Sequence, residues 1–505
     1  MNMIIKSIAM LDLLRSAKSF NSYILVLLSA FLLCLSMPGY SISPVAFIAL
    51  TPLFYAIKSD YSKLYLKIYI FSIIFYCISL RWLLTTISYY GGAPVYISVI
   101  ILLLFSSYLS IYWLIFIYFF KKIDNPLVLA VIFVSLEIIR GSFLSGFPWL
   151  NLAQSQYNNI YILKISSLIG EYGLSFIIIL TNLLLFKYFY NKQLKYLFIS
   201  VLIVIISIFI GFILIKINPI INSNLKVTVV QPSYEQKLKW DIYSQNRIIN
   251  YVKSLLDKAY REHSNLVVLP EAVFPTFFNA NEGLEAYIKS LSYNKPLVFG
   301  NIRVEERKGK YKYFNSVYYV NKGEISIYDK IHLVPFGEFF PLKDIFKPIK
   351  YYFFGDSDAF TKGKEYKIFN IDNKNFASLI CYEGAFTNLV QKFIEKNPTF
   401  LIINTNDSWF GDSIGRIQHL AIAKIRAAET SKYIIRAAQS GVSACIDPNG
   451  KIESFMSINE EGYFNCEIKK ARYNSVFNYF QYTWLLLIII IIAIKYTKDY
   501  IDYKQ

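Results

Sequence analysis

A thiol, a carboxylate and an amine stand at the ends of three apolar runs in this chain. The stretch Ser378-Leu-Ile-Cys-Tyr-Glu-Gly-Ala-Phe386 reads as a buried strand that stops at Cys381. A polar turn over Tyr382, Glu383 and Gly384 follows, and a helical pattern resumes near Thr387. A cysteine at the carboxyl end of a buried strand is held rigidly and points into the crevice where α/β proteins bind ligands. Leu266-Val-Val-Leu-Pro-Glu271 ends on a carboxylate able to take a thiol proton, and Pro270 fixes the backbone before it. Ile327-Tyr-Asp-Lys330 ends on an amine able to lower a thiol pKa and to stabilise the oxyanion of a tetrahedral intermediate. Together these are a nucleophile, a base and an anion stabiliser. Singly, each has a plainer reading: a buried Cys is usually packing, and a Glu or Lys at a strand end is usually solvated.

The elements that must position them begin at Leu225, where the pattern changes to short β-rich runs alternating with amphipathic helices. Strand-like runs are Lys226–Gln231, Leu266–Glu271, Pro296–Ile302, Tyr313–Val320, Glu324–Lys330, Ala377–Cys381, Phe400–Asn404, Tyr433–Ala438, Val442–Asp447 and Tyr463–Ile468. Helix-like runs fall near 242–261, 283–292, 387–396 and 415–432. Interleaved strands and helices predict an α/β domain over residues 223–475, with enough strands for two sheets.

The rest of the chain is greasy. Its 505 residues are 55% hydrophobic, with a mean hydropathy of +0.40, too high for a soluble protein of this size. Nearly all the long apolar runs lie in 20–217 and 483–496, so a membrane domain over 1–222 and a final span with a tail over 476–505 are expected. Candidate spans are 23–37, 44–57, 65–85, 95–120, 126–143, 160–187, 195–217 and 481–496, about eight in all, three of them short for a bilayer. The first has no small-residue cleavage pattern after it and reads as a retained span rather than a signal peptide.

Loop charge gives an independent check. Lys58, Lys63 and Lys67, then Lys121 and Lys122, then Lys187, Lys192 and Lys195, and finally Lys495, Lys498 and Lys504 mark one side. The alternate loops carry little beyond Arg81, Arg140 and Lys164. The positive-inside rule then places both termini in the cytoplasm and the α/β domain outside. A formal charge of +18 would otherwise suggest nucleic acid, but lysines flanking apolar runs explain it, and no nucleic-acid motif is present. The five cysteines form no metal spacing; Cys34 and Cys77 sit in apolar runs, while Cys445 and Cys466 are close enough in sequence to pair, with core packing the expected reading. Three histidines, His263, His332 and His419, leave little material for a metal centre or a Cys–His dyad, and no metal or cofactor is expected. Glu137 and Arg140, spaced i,i+3, read as an intrahelical pair. The loop from Arg140 to Leu150 reads on its residues as an interfacial turn with a Trp belt, the alternative being a mouth for lipid.

Three motifs carry a resemblance. Leu-Pro-Glu271, Tyr-Asp-Lys330-Ile-His-Leu-Val-Pro-Phe-Gly-Glu338 and Ile-Cys381-Tyr-Glu resemble the catalytic motifs of the nitrilase superfamily. Asn404-Thr-Asn-Asp-Ser-Trp-Phe-Gly411, Gln418-His419 and Arg426-Ala-Ala-Glu429 extend the match. With seven spans before and one after, residues 20–500 resemble the bacterial apolipoprotein N-acyltransferase family, and Phe147-Pro-Trp-Leu150 and Leu238-Lys-Trp240-Asp match its segments. The resemblance implies an αββα sandwich in which Cys381 is the nucleophile, Glu271 the general base and Lys330 the oxyanion stabiliser. It makes Glu338 a second supporting carboxylate, against a plain loop salt bridge. Tyr382 and Glu383 would shape the pocket, Trp240 would admit or hold substrate at the mouth, Asn315 would hydrogen-bond in the site, and Trp149 would belong to the substrate region.

The activity so implied is a ping-pong transfer. Cys381 would take the sn-1 acyl chain of a phospholipid, typically phosphatidylethanolamine, and pass it to the α-amino group of an N-terminal S-diacylglyceryl-cysteine on an apolipoprotein. The enzyme is expected in the bacterial inner membrane, as a monomer, with its site at the outer leaflet. Apolar arms would shield the thioester from water, and the aromatic-rich stretch 336–354, with Tyr351, Tyr352, Phe353 and Phe354 in a row, is a candidate lid, or else a loop resting on lipid headgroups. A membrane-tethered amidase using water as acceptor and an inactive membrane scaffold stay open as alternatives. A transporter is disfavoured, because no paired acidic residues stand out at mid-membrane.

Overall fold

The computed structural model describes residues 21–307, 309–341 and 359–504, without the side chains of Trp240, Arg307 and residues 495–504. The first 20 residues of the expected membrane domain and residues 342–354 of the candidate lid lie outside the described residues. The chain divides into two compact units, one drawn from Met1–Leu84, Val95–Ile213 and Phe480–Gln505, the other from Thr85–Pro94 and Leu214–Tyr479.

The first unit is helical: α1 (Asn21–Ser36), α2 (Thr51–Ser59), α3 (Leu64–Ser79), α4 (Val95–Lys122), α5 (Pro126–Arg140), α6 (Ser166–Asn191), α7 (Leu194–Ile217) and a last helix over Thr483–Lys504. Of the described helices, α4, α6 and α7 are long and apolar enough to cross a membrane, and a fourth span arises if Leu64–Ser79 and Trp82–Tyr90 are counted as one broken crossing. Length and composition therefore support fewer spans than the eight expected. The run expected as 65–85 breaks after Ser79, and α5, opened by Pro126 and capped by Asn125, has only 15 residues. Along most of α7 the apolar side chains are exposed, among them Phe198, Leu202, Ile205 and Phe209, as suits a helix solvated by lipid.

One buried polar network in this unit centres on Arg140. Arg140 donates to the Tyr76 hydroxyl at 2.9 Å and to Asn151 Oδ1 at 2.5 Å, and Asn151 donates to Glu171 at 2.9 Å. Glu137 accepts from the Leu152 amide at 3.0 Å, whereas its distance to Arg140 is 4.0 Å. The expected intrahelical pair is thus the looser contact. Both partners reach across to the 150–171 segment, because a buried charge needs full hydrogen bonding more than it needs one opposite charge. Two acidic residues, Glu137 and Glu171, are buried in this unit, a pairing that their spacing of 34 positions hides in the sequence.

The second unit is built on two six-stranded sheets. One has the order β12-β1-β2-β3-β4-β5, with β1 Ile220–Gln231, β2 Leu266–Val268, β3 Leu297–Arg307, β4 Lys310–Asn321, β5 Glu324–Asp329 and β12 Gly462–Ala471. The other has the order β11-β10-β9-β8-β7-β6, with β6 Phe369–Ile371, β7 Lys374–Ile380, β8 Phe400–Thr405, β9 Tyr433–Ala438, β10 Ser443–Ile446 and β11 Ile452–Met456. Each sheet has three parallel strands at its centre, β1-β2-β3 and β7-β8-β9, flanked by antiparallel ones. Helices α8 (Ile242–Ala259) and α9 (Glu282–Ser292) bury Ile248, Val252, Leu256, Leu284 and Ile288 on the first sheet with Val267, Leu297 and Phe299. Helices α10 (Thr387–Ile394) and α11 (Gly415–Thr430) belong to the second sheet's half, giving four layers, αββα.

Two details correct the sequence reading. The second strand ends at Val268, so Glu271 stands in a turn three residues further on; Pro270 has no N–H to continue the ladder. Cys445 and Cys466 are joined in a disulfide rather than merely packed. β10 and β12 belong to different sheets, and stacking those sheets brings together thiols 21 positions apart.

Candidate active site

Glu271 leaves β2 at its carboxyl end. Gly300 of β3 donates to Pro270 O at 2.9 Å, so the strand-end turn is pinned on both sides of the carboxylate, Ala272 taking a left-handed φ of +47°. Lys239, buried, donates to the Ala272 carbonyl; desolvation lowers its pKa to about 8 although Glu271 pulls it up. Lys330 follows β5 directly. Its amide donates to Asn315 O at 2.8 Å and its carbonyl accepts from Gly363 at 2.8 Å. A Cβ on Gly363 would stand 2.0 Å from the Asp329 carbonyl, so this approach requires glycine.

The side chains converge. Lys330 Nζ lies 2.9 Å from Glu338 Oε1 and 3.6 Å from Glu271 Oε1, and is 1% exposed. Asn315 Nδ2 donates to both carboxylates at 2.7 Å, and the Asn406 amide donates to Glu271 Oε2 at 2.8 Å. The Val334 amide donates to Glu338 Oε2 at 2.8 Å. Burial alone would lower the Lys330 pKa, but Glu338 first and Glu271 second hold it above the usual lysine range. Lys330 is therefore a fixed cation, and of the two carboxylates Glu271 is the one whose charge bears on the thiol.

Cys381 is the first residue after β7 and opens a tight turn, Cys381–Ala385, with φ +52°. Left-handed backbone at a non-glycine residue is strained and persists only where neighbours enforce it. Desolvation foremost, then the Glu271 charge, push the thiol pKa above the ordinary range, against Lys330 and a hydrogen bond with Thr405. The resting group is a thiol, so attack requires a base. Glu383, fully buried, enforces the turn: it accepts from the Ile380 amide at 2.8 Å, the Tyr328 hydroxyl at 2.8 Å, and the Ile331 and His332 amides at 2.7 and 3.1 Å. It ties the end of β7 to the end of β5 rather than lining open space.

Tyr382 packs edge-on against Phe386, with ring centres 4.8 Å apart. Trp240 ends a short turn, Gln236–Trp240, and its side chain lies outside the described residues. Trp149 lies in the helical unit, buried against Trp82 and Phe147. The structure thus brings Glu271, Asn315, Lys330, Glu338, Cys381 and Glu383 together in one unit, with Trp149 in the other.

Behind the thiol lies a cluster that the residue reading assigned no role. Fully buried Asp407 accepts from Thr405 Oγ1 at 3.0 Å and from Arg436 Nη2 at 2.6 Å, and stands 2.9 Å from His419 Nδ1. His419 Nε2 lies 3.3 Å from the Cys381 carbonyl oxygen. Arg436 foremost, with His419, holds the Asp407 carboxyl well below the usual carboxylate range despite burial. The polar run Asn404–Asp407 ending a fully buried strand was the available signal. Among the described residues no His, Cys, Asp or Glu side chains are grouped as metal ligands would be.

Residues 226–476 match the carbon-nitrogen hydrolase family, the class to which this two-sheet α/β unit belongs. Residues 29–184 match the apolipoprotein N-acyltransferase N-terminal domain. Among similar proteins, the apolipoprotein N-acyltransferase of Haemophilus influenzae is 30% identical over 458 residues, covering 85% of this chain and 86% of the relative. That of Geobacter metallireducens is 29% identical over 91% of each chain, and that of Rickettsia prowazekii 32% identical over 75% of this chain and 78% of its own. The chain belongs to the apolipoprotein N-acyltransferase family.

Proposed function

We propose that this chain completes bacterial lipoproteins by N-acylation, moving the sn-1 acyl chain of a phospholipid such as phosphatidylethanolamine through a thioester on Cys381. The observation that carries the reading is the convergence of a base, Glu271, and a fixed cation, Lys330, on a half-buried thiol that rests protonated. Glu271 takes the thiol proton as Sγ attacks the ester carbonyl, and Lys330 faces the developing oxyanion. The C–O bond breaks and Glu271 returns the proton to the departing lysophospholipid oxygen. The α-amino group of the diacylglyceryl-cysteine then attacks the thioester, Glu271 takes its proton, and collapse forms the amide and restores the Cys381 thiol with that proton. Glu338 and Asn315 hold Lys330 and Glu271 in place, and Tyr382 and Trp240 shape the approach.

Eight spans, a monomer, a catalytic domain over 223–475 and cytoplasmic termini complete this reading. The loop lysines support that orientation, and so does the Cys445–Cys466 bond, since disulfides persist in the periplasm and not in the cytosol. Acyl-enzyme trapping tests the reaction. Protein incubated with phosphatidylethanolamine labelled in the sn-1 chain should carry label that neutral hydroxylamine releases, absent from Cys381→Ser, and a diacylglyceryl peptide should discharge it. Discharge to water alone would replace the acyltransferase with a hydrolase; folded protein that takes no label would overturn both.

A further inference from the structure

The cluster behind Cys381 has a hydroxyl with two calls on one proton. Thr405 Oγ1 is fully buried, donates to Asp407 Oδ1 at 3.0 Å, and stands beside Cys381, one step past the Ile380–Asn404 pair of the parallel β7–β8 register, where it acts to lower the thiol pKa. A hydroxyl donates once. Against a thiol it can donate to Asp407 and accept the S–H; against a thiolate it must turn and donate to sulfur. Asp407 can release that hydrogen bond because Arg436 and His419 still satisfy it, at 2.6 and 2.9 Å. The cluster cannot shift as a whole: a Cβ on Gly441 would stand 2.2 Å from Asp407 Oδ2, and Arg436 is also bonded to Val442 O at 2.6 Å.

We propose that Thr405 is a further catalytic residue, a rotating donor that stabilises the Cys381 thiolate, and that Asp407, His419 and Arg436 are positioning residues that hold it in register with the sulfur. The proposal rests on the acyl-transfer reading, in which a thiolate forms in the first half-reaction and is expelled in the second. The balance is simple: the S–H proton goes to Glu271, and the Thr405 proton stays on its oxygen throughout, changing only its acceptor. His419, beside the Cys381 carbonyl, fixes the strained peptide that aims the sulfur.

The test is alkylation of Cys381 by iodoacetamide across pH 6–10 in the full-length protein, read by mass spectrometry, alongside acyl loading from phosphatidylethanolamine. Thr405→Val keeps the shape and removes the donor. Its alkylation profile should move up by about one pH unit, the size expected for a hydrogen bond to a charged group, with loading slowed about tenfold and Thr405→Ser restoring both. Asp407→Asn, which removes a negative charge facing the thiol and weakens the competing acceptor, should move the profile the opposite way. Thr405→Ala replaces Thr405→Val if the latter does not fold. A valine or alanine profile superimposed on wild type, or a serine variant as impaired as valine, would overturn the proposal. Wild-type protein that alkylates but never loads would instead sink the acyl-transfer reading.

Discussion

Lys330 is gripped by two carboxylates that do different work. Glu338 is the nearer, at 2.9 Å, and its other oxygen is taken by the Val334 amide; Glu271, at 3.6 Å, also bears on the thiol. Glu271→Gln should therefore cut acyl-enzyme formation by about 10²–10⁴, the usual contribution of a positioned base. Glu338→Gln should cost less in rate while lowering thermal stability, because a buried cation loses its closest partner. Single-turnover loading and thermal unfolding of both variants check this; equal rate losses would make Glu338 a second base. The three strand-end residues were legible because each closes an apolar run. Asn315 as a bridge between both carboxylates, and Asp407 as the partner of His419 and Arg436, were not, since only folding brings positions so far apart in the chain into contact.

At the scale of elements, the site depends on fastening the ends of strands from two sheets. Glu383 does this within the turn that bears Cys381, accepting three backbone N–H groups and one hydroxyl. Glu383→Ala would strand those donors in the interior at about 1–3 kcal/mol each, so a total loss of at least ~3 kcal/mol is expected. Thermal unfolding measures it, and a variant as stable as wild type would contradict the bracing role. Most strands and all four helices of the α/β unit could be read from alternation and periodicity. The short edge strands β6 and β11 could not, having three and five residues. Nor could the early end of the second strand, which its apolar run outlasts. In the helical unit, composition announced lipid-facing helices, yet hydropathy does not say where a helix breaks, as the run over 65–85 does after Ser79.

The α/β unit is two six-stranded sheets whose parallel cores each lead into one partner, Glu271 in the turn beyond β2 and Cys381 directly after β7. One covalent bond, Cys445–Cys466, crosses between them. Replacing both cysteines by alanine should cost about 2–4 kcal/mol. Denatured, unreduced protein should take up maleimide at three of its five cysteines, Cys34, Cys77 and Cys381; labelling at all five would remove the bond. In the proposed orientation, the compartment that closes this bond also exposes the free Cys381 thiol to oxidants. Exchange with a disulfide runs through the thiolate. Desolvation and Glu271 raise the Cys381 thiol pKa, which lowers its thiolate fraction and so slows that exchange.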